Sequence, residues 1–293
     1  MARSSPTALL GGPGVPRSGM SQILGGRTPF DDIYDQPDPR GYFGSLGRFD
    51  YRTPHHAQAV FRRLVAARAQ SGPVTVVDLC CSYGINAALL NHDLTLADLY
   101  ARYTLPQIAE LDTVELIESD KEFYAARRRD DAVPVVGVDI AAPAIDYALA
   151  VGLLDAGFVE NLETGAASPA LLRAAGPAGL ITVTGGASFL TARTFQQLLG
   201  AAVEPVWVAA FVLRTGSYRP IADALAEYGL VTEVDPARTV LQRRFTDLDE
   251  QRYAIAAVTE AGADPAGKET EGYYHAAVHL SLPPGVTGHP SAR

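Results

Sequence analysis

Residues 74–86 read VTVVDLCCSYGIN. The run from Val74 to Leu79 is β-branched and apolar apart from Thr75 and Asp78, which suits a strand buried on both faces of a parallel sheet. Small residues follow at Cys80, Ser82 and Gly84, and INAALL then opens a helix. In open parallel α/β sheets, ligands bind beyond the carboxyl ends of the strands. A helix start also carries free backbone N–H groups. This strand–turn–helix is therefore the place to look for a ligand, with Cys80, Ser82 and Gly84 on alternating positions and Tyr83 projecting beside the opening.

Outward from this turn, strands and helices alternate. A mostly helical stretch runs from about Leu94 to Arg129 and leads into VPVVGVD (133–139), a second strand, and the helix AIDYALAVGLLD. Further strands are expected at GFVEN (157–161), GLITVTG (179–185), PVWVAAFVL (205–213), RTVLQRRF (238–245) and YYHAAVHLSL (273–282). Helices are expected at ARTFQQLLG (192–200), IADALAEYG (221–229) and LDEQRYAIAAVTEAG. Such alternation predicts a doubly wound α/β sheet with helices on both faces. Upstream, residues 28–72 are dense in aromatics, and Ala57, Val60, Phe61, Leu64 and Val65 fall at helical spacing, which predicts an N-terminal helical and aromatic cap. The expected organisation is a disordered, Ser/Gly/Pro-rich tail over 1–27, the cap over 28–72, the sheet domain over 73–284 and a C-terminal tail over 285–293.

At the first turn the sequence resembles the class I S-adenosylmethionine-dependent methyltransferases, whose opening motif is D-x-G-x-G-x-G. Asp78, Cys80, Ser82 and Gly84 stand on its four named positions, so two of the three glycines are replaced by other small residues. The resemblance implies a Rossmann-like seven-stranded sheet whose last strand is antiparallel, a place that YYHAAVHLSL suits, and S-adenosylmethionine as cofactor. It also implies an acid at the end of the second strand that accepts hydrogen bonds from a ribose diol. Asp139, with Ile140 beside it, fits that role. It lies 61 positions beyond Asp78, which requires an inserted helical segment. The competing acid lies in ESD (118–120), but DTVELIESDKEFYAARRR has the composition of one charged helix. By the same resemblance, Glu160 and Asn161 at the third strand end would face adenine, and Thr184 and Gly185 at the fourth would lie near the methionine moiety. Phe189, Thr191 and Arg193 would meet the acceptor, although Thr191 also suits a helix N-cap.

Nothing in the sequence assembles a catalytic dyad or triad. Tyr51, His55 and Tyr83 are the candidates for a catalytic contact; a core aromatic role is equally open for the two tyrosines. His55 and His56 are adjacent on a helix start and point in different directions, and the two cysteines are side by side, so no metal site is expected. The motifs for a dinucleotide pyrophosphate (G-x-G-x-x-G at this turn) and for a P-loop are both absent.

A net charge of −9 opposes binding to a phosphate backbone, so no nucleic-acid partner is expected. The N-terminus is broken by Gly and Pro before any apolar run reaches signal-peptide length, and no stretch approaches a membrane span. Adjacent Cys80 and Cys81 can close no disulfide framework, which suits a reducing, cytoplasmic setting. The resulting expectation is an enzyme that methylates a small molecule, with secondary metabolism as one setting and a homodimer left open. Two alternatives stand beside it. One uses S-adenosylmethionine without methyl transfer, cyclising its aminobutyrate arm to azetidine-2-carboxylate with release of methylthioadenosine; the other is an inactive binding protein on the same fold.

Overall fold

The computed structural model describes residues 26–286 of the chain. The tail expected over 1–27 lies outside the described residues as far as residue 25, and the one expected over 285–293 lies outside them from residue 287.

The first strand, β1 (Thr75–Leu79), pairs in parallel with β2 (Val135–Asp139) on one side and β4 (Ala178–Val183) on the other. β3 (Ala156–Val159) flanks β2, and β5 (Trp207–Leu213) flanks β4, both parallel. Beyond β5 the last strand, β7 (Tyr273–Leu282), runs antiparallel, and β6 (Val231–Arg244) pairs with it at the edge. The order is therefore β3-β2-β1-β4-β5-β7-β6 in one seven-stranded sheet. Strand order reverses between β1 and β4, so the turn after β1 opens onto the switch point.

Burial explains the apolar runs. β4 and β5 are buried at every position, and β1 at all but Thr75, as expected where helices cover both faces. One face packs on α1 (Arg40–Arg48), α2 (Thr53–Ala69), α3 (Ile85–Asn91) and α7 (Ala142–Ala150). The other packs on α8 (Pro169–Ala175), α9 (Ala192–Leu199) and α10 (Arg219–Ala226). Between α3 and β2 lie α4 (Leu96–Tyr103), α5 (Pro106–Ala109) and α6 (Thr113–Ala125). They are the insertion that the long Asp78–Asp139 spacing requires, and the ESD acid Asp120 sits within α6. Asp120 is fully buried, bonded to Arg102, Tyr103 and Tyr147. α11 (Leu248–Glu260) lies between β6 and β7, and none of the described helices is long and apolar enough to cross a membrane.

The cap is held to this framework through aromatics. The Tyr83 ring is fully buried, and its hydroxyl donates towards the Ile33 and Gln36 carbonyls at 2.8 and 2.9 Å. Tyr42 meets Tyr34, Tyr51 and Tyr83 edge to face. Arg27, which the sequence groups with the tail, donates to Ser188 Oγ and lies over the Phe189 ring. Next to it, Thr28 N–H donates to Glu250 at 2.9 Å. Residues 27–34 thus form a strap from the loop after β4, past α11, to the first turn.

Candidate functional site

The turn after β1 keeps the backbone shape of a glycine-rich motif without most of its glycines. Cys80, Ser82 and Gly84 have φ of 54°, 51° and 76°. Only glycine adopts the left-handed region freely; other L-residues are strained there by about 1–2 kcal/mol. The N–H groups of this turn are used within the protein: those of Cys80 and Cys81 donate to the Val138 carbonyl, and that of Gly84 to the Cys81 carbonyl. Ser82 N–H donates to Asp139 Oδ2 at 2.8 Å, and Ala141 N–H donates to Asp139 Oδ1 at 3.0 Å. The end of β2 is thereby fixed to the turn after β1. Each Asp139 oxygen keeps a further lone pair for a hydroxyl donor. Burial pushes the Asp139 carboxyl up, and these N–H groups oppose the rise. Ile140 beside it is half-exposed, as is Val159 at the end of β3, leaving an apolar surface next to the carboxylate.

Beneath the turn lies a buried polar network. Asp78 is 1% exposed and accepts from Thr182 Oγ1 at 2.7 Å and from Asn86 Nδ2 at 3.0 Å. Asn86 also reaches Thr184 Oγ1 at 3.1 Å, tying the ends of β1 and β4 to the start of α3. Burial raises the Asp78 carboxyl to about 7, against the lowering effect of the Thr182 and Asn86 hydrogen bonds. Among the described residues, Ser82 Oγ and Asn86 Oδ1 are buried with no hydrogen-bond partner. Because Ser82 combines strained φ with an unsatisfied hydroxyl, Ser82→Gly is expected to stabilise the free protein by about 1 kcal/mol despite the freer unfolded chain. Thermal melting would read this as a rise of about 2–4 °C; a fall would show that the hydroxyl is bonded.

The crevice between β1 and β4 is tight. A Cβ on Gly186 would stand 2.4 Å from Cys80 Sγ, and one on Gly185 would stand 2.8 Å from the Tyr51 hydroxyl. Tyr51 therefore sits over the end of β4, and burial pushes its hydroxyl up to about 12. The Tyr34 hydroxyl is raised further, by burial and then by Tyr51, Asp139 and Cys80 around it. The cap thus contributes two phenols to the crevice. Tyr51 was legible as a candidate. Tyr34 was not, because it reaches the site only through the path of the strap.

The other sequence candidates divide. Cys80 and Cys81 thiols are pushed up by burial and nearby carboxylates, which opposes the thiolate a nucleophile requires. Tyr83 is engaged with the cap carbonyls. His55 is exposed, its ring 5.2 Å from that of His56. Glu160 accepts from Ser168 N–H, and Asn161 Oδ1 accepts from Glu163 N–H, so both order the loop after β3. Thr191 caps α9 through Arg193 N–H and bonds Glu163, while the Arg193 guanidinium holds the Leu162 and Gly165 carbonyls. Phe189 underlies Arg27 of the strap.

No family model matches the chain, and no curated protein matches it. Solved structures do. The plantazolicin methyltransferase BpumL, in complex with a monoazolic desmethylPZN analogue and SAH, is 10% identical over 91% of this chain and 98% of its own, with a TM-score of 0.41. The magnesium protoporphyrin IX methyltransferase ChlM from Synechocystis PCC 6803 with bound SAH is 12% identical over 91% and 94%, with a TM-score of 0.36. The geranyl diphosphate C-methyltransferase from Streptomyces coelicolor A3(2) is 12% identical over 75% and 79%, with a TM-score of 0.35. By its own sheet order, with β7 antiparallel between β5 and β6, the chain has the Rossmann-like, seven-stranded fold of class I methyltransferase type.

Proposed function

We propose that the chain binds S-adenosylmethionine at the switch point and transfers its methyl group to a small molecule. The observation that carries this reading is the pairing of Asp139, at the end of β2, with the left-handed turn after β1. The residues fit the group. Asp139 offers free lone pairs to a ribose diol, with Ile140 and Val159 as an apolar bed for a base. Ser82 Oγ and Asn86 Oδ1 are buried acceptors with no partner, suited to an ammonium. Cys80 and Tyr51 narrow the amino-acid end, so entry there requires the cap to shift.

S-adenosylmethionine, held by Asp139, Ser82 and Asn86, would supply an electrophilic methyl group and a sulfur leaving group to the acceptor's lone pair. The chain has then to hold, align and desolvate the reactants. Asp139 orients, the Asp78–Asn86–Thr184 network fixes the crevice walls, and the strap excludes water. The proton released by a neutral acceptor leaves to solvent, since Tyr51 at about 12 is a poor base near neutrality.

Asp139→Ala is expected to weaken S-adenosylhomocysteine binding by about tenfold to a hundredfold, the worth of two hydrogen bonds to a charged acceptor. Calorimetry on Asp139→Ala and the milder Asp139→Asn, each checked for folding, measures it. Affinity equal to the unaltered protein's in both would contradict the assignment. Incubation with S-adenosylmethionine alone should leave it intact by mass analysis; methylthioadenosine in the products would favour the intramolecular reaction.

A further inference from the structure

The walls of the switch-point crevice carry acids and acceptors, with no base set against them. Asp78 is 1% exposed, and its oxygens accept from Thr182 of β4 and Asn86 of α3. Both donors are neutral. The titratable groups that face Asp78 are Asp139 from the end of β2, the Cys80 and Cys81 thiols of the turn and the Tyr51 phenol of the cap. Glu163, from the loop after β3, adds its charge at Cys80. Among the described residues, neither Asp78 nor Asp139 has a Lys, Arg or His beside it. Arg243 acts on the Tyr51 and Tyr34 phenols, and Glu250 neutralises it at 2.6 and 2.9 Å.

A carboxylate buried without a counter-charge is costly, so the free protein favours the acid form of Asp78. Asn86 is placed to reverse that preference. Its Nδ2 donates to Asp78 and to Thr184 Oγ1, while its Oδ1 is buried with no hydrogen-bond partner. Ser82 Oγ, whose backbone N–H is held by Asp139, is bare as well. Buried polar atoms are nearly always partnered, because leaving one bare costs its full desolvation. Two bare acceptors among carboxyl groups call for a donor that carries positive charge. Such a donor on Asn86 Oδ1 stands one amide group from the Asp78 carboxyl, on the order of 4–6 Å, where an opposite charge favours the ionised form. It also polarises the Asn86 N–H that points at Asp78, which strengthens that bond to a carboxylate.

We propose that Asp78 is a positioning residue that links capture of the cofactor's amino-acid end to release of a proton. As the ammonium group docks on Asn86 Oδ1 and Ser82 Oγ, the Asp78 carboxyl gives its proton to solvent and becomes the counter-charge. The proposal deepens the S-adenosylmethionine reading and rests on it for the identity of the ligand. Asp139 remains the contact to the ribose diol, so a nucleoside without the amino-acid arm does not engage Asp78. With the free group at about 7, binding below that pH requires a proton to leave, and binding above it does not. Affinity for an ammonium-bearing ligand therefore rises about tenfold from about pH 6 to about pH 8 and then levels off.

The test is calorimetric titration of the full chain across that range with two ligands, S-adenosylhomocysteine and methylthioadenosine. The first carries the ammonium; the second is the nucleoside end alone and reports what Asp139 contributes. The tenfold rise is expected for S-adenosylhomocysteine, against no more than about twofold for methylthioadenosine. Titrations in buffers of different ionisation enthalpy should show close to one proton released per S-adenosylhomocysteine bound near pH 6. In Asp78→Asn, both the pH dependence and the proton release should vanish, which a merely structural role would not bring about. The comparison of ligands uses the unaltered protein and decides the question even where the variant does not fold. The proposal is overturned by a flat S-adenosylhomocysteine profile, or by a rise that methylthioadenosine shares or Asp78→Asn retains. Each of those results leaves the cofactor reading standing. Binding of neither ligand at any pH counts against the cofactor reading itself, and the proposal falls with it.

Discussion

Replacing Glu250 by alanine is expected to cost about 3–5 kcal/mol of stability, the penalty for removing one partner of a buried ion pair. Glu250 is 1% exposed and Arg243 is 5% exposed. The Arg243 guanidinium, between the Phe30 and Tyr274 rings at 5.0 and 4.9 Å, would be left as an uncompensated charge. Glu250 also accepts from Thr28 N–H, Thr246 N–H and Thr246 Oγ1, so the strap loses its anchor at the same stroke. Burial raises the Glu250 carboxyl, but Arg243 and these donors outweigh it and hold the group below the usual range. It is therefore charged at neutral pH. The expected readouts are a melting temperature lower by roughly 6–15 °C and faster proteolysis after Arg27. Glu250→Gln should fall between the two proteins. Unchanged melting with an unchanged cleavage rate would show that the strap is held by other contacts.

The second large effect is a pH dependence carried by Asp78. Its folded carboxyl is raised by burial to about 7 from the ordinary 3.8. Between these values the native state holds a proton that the unfolded chain has released, so stability falls as pH rises from about 4 to about 7 and levels off above. The shift of about three pH units corresponds to a loss on the order of 4 kcal/mol by pH 8. Asp78→Asn stays neutral throughout, and its amide oxygen can still accept from Thr182 Oγ1 and Asn86 Nδ2, which both donate to Asp78 Oδ1. The two proteins should unfold with similar free energies near pH 4, and the variant should be the more stable at pH 8. Denaturant unfolding across this range isolates the residue, because other titrating groups cancel in the difference. A constant difference would show that Asp78 does not titrate in the window.

The sheet was readable because its strands are buried on both faces. VTVVDL, VPVVGVD and YYHAAVHLSL fall on β1, β2 and β7 to within two residues, since a run of β-branched and aromatic residues has few other uses. The choice of Asp139 over the ESD acid followed from the same contrast, as charged, unbranched residues form α6. β6 was expected from residue 238 and begins at Val231. Its first half, VTEVDPA, carries a proline and charges, which are tolerated on an edge strand and hide it from a periodicity argument. The alternation of small residues at Cys80, Ser82 and Gly84 was visible, but not that the first two would keep left-handed backbone.

The strap was not legible for a different reason. Tyr34 comes near Tyr51, Cys80 and Asp139 only through the closing of the cap on the sheet, which local sequence does not show. Phe189, Thr191 and Arg193 were placed correctly after β4, yet two of them are engaged in capping and carbonyl contacts, which local sequence cannot weigh against ligand contact.

Calorimetric titration of the purified chain with S-adenosylhomocysteine decides whether the turn after β1 is a cofactor site. Saturable one-to-one binding is expected, with a melting temperature that rises with ligand concentration, as a ligand selective for the native state requires. No heat of binding and no thermal shift at about 1 mM ligand would contradict it, and would leave the turn after β1 as a structural joint between β1, β2 and the cap.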